Sequence, residues 1–168
     1  MAEHVILRLD NVQATQDNSL MRSGLFKDDG VAADIDNGLP VEVGALVNGE
    51  RELRELTAAT ATPTVLGITS TPEVNSEGDV DNDGSNLLTF YNKAGKAVRV
   101  HLLQAGDIFS VSAPAFNTTV PTVGAVIGID GGKWKVGAQN EIGKCIDIEV
   151  VTGTTLYGIE ISTDKINQ

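Results

Sequence analysis

Short apolar stretches, in most of which apolar and polar residues alternate, dominate the chain, and a period of two predicts β-strands. The segments are residues 41–47, 64–69, 97–103, 107–112, 124–129, 133–136, 142–151 and 155–161. Asn-Gly and Asp-Gly-Gly sequences between several of them are typical of tight hairpin turns. No segment has a sustained helical period, although residues 50–59 allow one or two helical turns. The pattern predicts a mainly β protein, a small barrel or sandwich with long loops.

The first thirty residues follow a different pattern. A short apolar ladder near the start gives way to the polar stretch 11–19, and scattered apolar residues follow. A segment of this kind more often lies along another surface, of its own subunit or of a neighbour, than packs a core of its own. The sequence therefore predicts an extended N-terminal arm at residues 1–30 and a β-rich domain at residues 31–168. The predicted partner-binding residues of the arm are Val5, Ile6, Leu7, Leu9, Leu20, Leu25 and Phe26.

An acidic stretch without periodicity at residues 73–86 is the most loop-like part of the chain and a possible soft domain boundary. Within it, carboxylates at alternate positions followed by glycine match the start of a calcium-binding loop. The twelfth position of such a loop should be a bidentate Glu, but it is Phe90 here. Calcium binding and a plain acidic turn both remain open, and no other cofactor is expected. The candidate ligands are Asp79, Asp81 and Asp83.

Composition narrows the classes of partner. The formal net charge is −11 over 168 residues, and such a chain repels phosphate backbones and anionic lipids. Nucleic-acid binding is therefore not expected, unless Lys93, Lys96 and Arg99 form a local patch. No run is long and apolar enough to cross a membrane, and we expect synthesis in the cytoplasm without a signal peptide. Only seven residues are aromatic, which predicts a thin core and favours oligomerisation.

The sequence offers no recognisable catalytic equipment, so an enzyme is not expected. It has no nucleophile elbow, phosphate-binding loop or dinucleotide fingerprint. His4 and His101 are too few for a transition-metal site. Cys145 lies in an alternating strand and is expected to be a buried, inert thiol. Trp134 is expected in the core, with an exposed partner-binding patch as the alternative.

Several stretches resemble small virion proteins of tailed bacteriophages, namely head decoration (cement) proteins and related structural proteins. These stretches are residues 33–38, 47–53, 66–74, 90–97, 106–111 and 142–150. The resemblance implies a β-rich subunit on the capsid exterior, bound to the major capsid protein and often trimeric. It implies a cement function, in which bridged capsid subunits stabilise the head. A head fibre base, a tail component and a calcium-dependent β binding module are the alternatives.

The energetics of the predicted arm favour a multimer. Burial of Val5, Leu7 and Leu9 on one strand face contributes roughly 5–9 kcal/mol. Ordering about eight residues costs roughly 8–16 kcal/mol. One arm is therefore marginal by itself. Backbone pairing, the neighbouring Leu20, Leu25 and Phe26, and multivalent attachment would supply the difference, which predicts a homotrimer or another multimer.

Overall fold

Strands dominate the computed structural model, which describes residues 4–73 and 88–162. Twelve strands, β1 to β12, span Leu7–Asn11, Met21–Asp28, Val31–Ala32, Pro40–Leu46, Leu53–Ala58, Leu66–Thr69, Val98–Leu102, Ile108–Ser112, Val126–Asp130, Lys133–Val136, Gly143–Val151 and Thr154–Ile161. Three 3-10 helices span Gln13–Thr15, Asn18–Leu20 and Ala113–Ala115. Nothing helical in the described ranges is long enough to span a membrane. The predicted mainly β fold is confirmed.

Five strands close into a small barrel in the order β2-β5-β4-β6-β7, with β7 pairing back to β2. The β2–β5 pair is parallel, and the other four pairs are antiparallel. The two-residue strand β3 pairs in antiparallel fashion with the last residues of β2. Alternate residues of each strand face inward. The resulting apolar cluster contains Phe26, Val41, Val43, Leu56, Val98, Val100 and Leu102.

Two glycines let the barrel close this tightly. A Cβ atom at Gly24 would collide with the Leu56 side chain, and one at Gly67 would collide with Val100. Neither glycine has a positive φ, so the requirement is space and not backbone conformation. Any larger residue at these positions would overpack the barrel interior.

The other six strands form a sheet in the order β1-β8-β12-β11-β9-β10, all antiparallel. This sheet packs against the β6 side of the barrel, where Leu66 and Ile68 join its core cluster. All four residues of β6 are buried, because Gly67 approaches the barrel interior while its neighbours face the sheet. A strand covered on both sides explains why residues 66–69 lack polar alternation.

Trp134 and two leucines tie the sheet to the barrel. The Trp134 indole N–H donates to the carbonyl of Gly38 at 2.9 Å, and the ring stacks obliquely on Phe109. Leu20 and Leu39 pack against both apolar clusters. The prediction that Trp134 lies in the core is confirmed, since its side chain is fully buried.

The predicted extended arm at residues 1–30 is corrected by these contacts. β1 pairs along β8, with Leu7 opposite Val111, and β2 is a wall of the barrel. The physical reason is that β8 would otherwise be an open sheet edge, which β1 covers with its own backbone hydrogen bonds. The described part of residues 1–30 is therefore integral to both layers and is not a separate unit.

Two further predictions are corrected. Residues 53–58 form β5 and not helical turns, because the strand is held between parallel β2 and antiparallel β4 and buries Leu56 inside the barrel. The possible domain boundary at residues 73–86 is also wrong, because β6 and β7 on either side of it pair within one barrel.

Candidate functional site

Four of the nine large hydrophobic residues exposed in the described ranges lie on the β11–β12 hairpin. β11 has nine residues and β12 has eight, joined by the two-residue turn at Thr152 and Gly153. Their φ values of 47° and 86° are both positive, as the tight turn preferred in hairpins requires. Next to β12, β8 pairs only as far as Leu156, opposite Ser112. The end of the hairpin therefore extends past its neighbouring strand.

The other edge of β11 is open for most of its length. β9 pairs with β11 only at Gly143 and Lys144, and the chain before β9 adds two hydrogen bonds to Cys145. Beyond that point no strand of the described ranges pairs with this edge. An open edge presents unpaired backbone N–H and C=O groups that can accept a further strand.

Apolar side chains accompany this open edge. Ile148 lies opposite Tyr157 and Val150 opposite Thr155, so both share the face that is buried further along the sheet. Their exposed fractions are nevertheless 38% and 68%, because the hairpin has passed the end of the core. Ile146 and Val151 are exposed as well, although Val151, opposite Thr154, lies on the other face of the strand. We call these four residues, Ile146, Ile148, Val150 and Val151, the hairpin patch.

The opposite face of the hairpin is held by an ion pair. Arg8 of β1 donates to Glu149 at 2.7 Å and to Asp10 at 2.6 Å, and both contacts raise the Arg8 pKa. Asp147 and Glu149 are exposed on this face. The exposed apolar face was not predictable from the alternating pattern, because alternation does not show where the core beneath a strand ends. The signal was the length of β11, which exceeds that of its neighbours.

The predicted arm residues mainly contact other parts of their own subunit. Val5 and Phe26 are buried, and the other five are partly buried. The Val5 amide donates to Asp36 at 3.1 Å, and the Ile6 amide donates to the Ser112 hydroxyl at 2.9 Å. The prediction that Val5, Leu7 and Leu9 share one strand face is right, but that face packs on the chain's own core.

The candidate calcium ligands Asp79, Asp81 and Asp83 lie outside the described residues, so calcium binding stays a prediction. Within residues 4–73 and 88–162, no three His, Cys, Asp or Glu side chains gather as a metal site.

A cleft of about 320 Å³ beside His4, Asp36 and Tyr91 is a structural junction. His4 hydrogen-bonds Asp36 at 2.7 Å and stacks on Tyr91, while Asp36 also accepts from the Val5 amide. These groups fasten the entry of β1 to the segment before β4. Their polar atoms are therefore engaged in holding the two layers together.

Burial shifts the pKa values of three titratable groups. Burial raises the pKa of Asp107, and two accepted backbone hydrogen bonds, from Gln13 and Gln104, oppose the shift. Burial lowers the pKa of His101, and Arg99 lowers it further. Burial raises the pKa of Cys145, which disfavours the thiolate. The expected buried thiol is confirmed.

A comparison with protein-family models identifies the chain's family. The family described as YonC prophage protein matches residues 23–135, which are 113 of the 168 residues. The matched segment contains β3 to β9 and most of β2 and β10, whereas the β11–β12 hairpin follows it. No curated protein and no solved structure matches. The chain belongs to the YonC prophage protein family and is of bacteriophage origin.

Proposed function

We propose that this protein is a capsid decoration protein, which binds the outer surface of a phage head and stabilises it by bridging capsid subunits. Membership of a prophage family supports a phage function. The observation that carries the finer proposal is the β11–β12 hairpin, which combines an open strand edge with the exposed hairpin patch.

The hairpin replaces the N-terminal segment as the proposed docking element. A strand or loop of the major capsid protein adds to the open edge of β11, and backbone hydrogen bonds fix its register. Ile148 and Val150 then become buried. Moving such a side chain from full exposure to full burial contributes about 1.5–3 kcal/mol, and Val150, which is 68% exposed, gains more of this than Ile148, which is 38% exposed. Asp147 and Glu149 lie on the other face, so they remain solvated on binding.

The charge of the chain suits this location. At −11 the protein repels packaged DNA and favours a solvent-facing position on the particle exterior. We propose no catalytic role and no cofactor. The polar clusters that we find in the described residues, such as His4 with Asp36, hold strands together.

A homotrimer is the proposed attachment state. One hairpin patch gives modest binding energy after the costs of association are subtracted. Three copies joined to each other bind repeated capsid subunits with a high effective concentration, so weak individual contacts give stable occupancy.

Co-sedimentation with DNA-free capsids tests the proposal. We expect Val150→Lys to weaken binding by about tenfold or more, because a charged side chain is forced into an apolar contact. Val31→Lys is the matched control, since Val31 of β3 is 70% exposed, compared with 68% for Val150. Both side chains extend into solvent, so neither change is expected to alter the fold.

The location of the subunit on particles is the second measurement. Electron microscopy should place its density on the outer capsid surface at positions shared by neighbouring subunits. Density on the tail, or equal capsid occupancy for wild type and Val150→Lys, contradicts the proposal.

A further inference from the structure

A second surface, at one end of the barrel, contains a cluster of positively charged side chains. A cleft of about 500 Å³ opens there among β2, β4, β5 and β7. It contains four of the chain's five arginines, although the chain as a whole carries a net charge of −11. We call this site the arginine cleft, and its arginines are Arg22, Arg51, Arg54 and Arg99.

Strand register brings these residues together. β2 and β5 run parallel, with Gly24 opposite Arg54, so Arg22 and Arg54 lie near the same ends of two neighbouring strands. Arg99 of β7 pairs with Ser23 on the other side of β2. Arg51 lies two residues before the start of β5. Residues separated by up to 77 positions in the sequence therefore converge on one opening.

Backbone contacts hold two of the guanidinium groups. Arg22 donates through Nη1 to the carbonyls of Ser19 and Met21, and Arg54 donates through Nη1 to the carbonyl of Gly44 at 3.1 Å. A guanidinium has five N–H donors, so these bonds fix each group in place and leave further donors for a ligand. Such preorganisation lowers the entropic cost of binding.

The charge in the cleft is not neutralised by carboxylates of the described residues. Glu52 lines it, but no ion pair within the described ranges joins a carboxylate to any of the four arginines. The local sum is four positive charges against one negative charge. The Debye length is about 8 Å at physiological ionic strength, so this local excess outweighs distant acidic residues for a bound ion.

We propose that the arginine cleft binds a phosphate-bearing anion. A guanidinium matches phosphate oxygens with paired, parallel hydrogen bonds, and several converging guanidinium groups suit a multiply charged anion better than a single carboxylate. The volume is in the range of small-ligand sites. The ligand is a free di- or triphosphate group or a phosphodiester backbone, both of which offer several anionic phosphate oxygens in succession.

This site differs from the patch that the sequence singled out. Arg99 belongs to the cleft, but Lys93 and Lys96 do not line it. The cleft also shares no residue with the hairpin patch, so phosphate binding and capsid attachment can be tested separately.

Calorimetric titration of the full chain with pyrophosphate and tripolyphosphate tests the proposal. We expect saturable binding that weakens as salt is raised. Arg51→Gln and Arg99→Gln should each reduce affinity about tenfold or more, because each removes a charge-assisted hydrogen-bond donor. Arg51→Lys keeps the charge but loses the paired donors, and should give an intermediate affinity.

Lys144→Gln is the charge-matched control, because Lys144 is exposed and lies outside the cleft. Its affinity should stay within about twofold of wild type, since removing a distant exposed charge has little effect. A short single-stranded oligonucleotide is titrated in parallel. Binding of that probe through the same arginines identifies a phosphodiester ligand, and binding of tripolyphosphate alone identifies a free anion; either result supports the site.

Three results overturn the proposal. The first is no binding of either phosphate probe at millimolar concentration and low salt. The second is an affinity that is unchanged in the Arg51→Gln/Arg99→Gln double variant. The third is tighter binding of a glutamate peptide than of tripolyphosphate, which would assign the cleft to carboxylates.

Discussion

His101 in β7 is a buried imidazole whose Nδ1 atom has no hydrogen-bond partner among residues 4–73 and 88–162. His101 is paired with Met21 on one adjacent strand and with Ile68 on the other, and both of these residues are apolar. Burial, with a smaller contribution from Arg99, lowers its pKa below the usual 6.5. The folded protein therefore favours neutral His101.

This setting makes stability depend on pH. Below about pH 6.5 the unfolded chain binds a proton that the folded chain resists, so the stabilising effect is present above pH 6.5 and is lost as pH falls. We expect the free energy of unfolding to fall by up to about 1.4 kcal/mol per pH unit from this residue. Urea unfolding between pH 7.5 and pH 5 (about neutral to mildly acidic) measures it.

His101→Gln should remove this part of the pH dependence, whatever its effect on absolute stability. His4→Gln is the control, since His4 is the chain's other histidine and lies at the partly exposed junction with Asp36. An identical pH slope for wild type and His101→Gln would show that His101 is not the responsible group.

At the scale of the element, the sequence predicted the apolar face of β1 but not the strand with which β1 pairs. The alternation of Val5, Leu7 and Leu9 correctly predicted one apolar strand face. It did not identify the surface beneath that face, because β8 is about a hundred residues away and period-two patterns carry no pairing information. For the same reason the pattern gave no indication that β2 closes the barrel.

The local strand signals after residue 60 were more informative. β6 to β12 correspond to segments whose alternation or apolar run was visible in the sequence. β5 was not visible, because Leu53 and Leu56 are three residues apart and so point to opposite faces of a strand while suggesting one face of a helix. The arginine cleft depends on register among four strands, so composition alone did not reveal it.

β1 gives a direct test of the corrected N-terminal segment. Val5→Ala should destabilise the protein by about 2–3 kcal/mol, because it leaves a cavity in the core between the layers. Ile6→Ala is the control, since Ile6 lies on the other strand face and is partly exposed. Chemical denaturation measures both changes.

If residues 4–12 formed a free arm, neither substitution would change the free energy of unfolding.

Because β1 is part of the folded sheet, deletion of the N-terminal segment has to be interpreted with its effect on folding in mind. Deleting residues 1–12 removes buried Val5 and Val12 together, so a loss of capsid binding after that deletion would reflect loss of fold. Substitutions in the hairpin patch are the cleaner test of attachment.

At the scale of the whole molecule, the two apolar clusters are joined by shared side chains. Leu20 and Leu39 contact both clusters, and the Trp134 indole binds the Gly38 carbonyl across the junction. The barrel and the sheet are therefore expected to unfold together. Trp134 is the chain's only tryptophan and lies at this junction, so its fluorescence reports separation of the layers.

Urea unfolding followed by Trp134 fluorescence and by far-ultraviolet circular dichroism should give coincident transitions with one midpoint. The measurement is repeated at several protein concentrations, because dissociation of an oligomer shifts the midpoint with concentration and unfolding of a monomer does not. Two separated midpoints at all concentrations would mean that the barrel is stable without the sheet.

The pairing of β1 with β8 also sets an order of events on the ribosome. Leu7 is made 104 residues before its partner Val111, an interval of roughly 5–20 s at ordinary rates of translation. All five barrel strands are synthesised within that interval, while β1 still has no edge to join. A chain that ends before residue 108 and is released from the ribosome therefore carries an exposed apolar strand beside a complete set of barrel strands, and we expect chaperones to bind it at this stage.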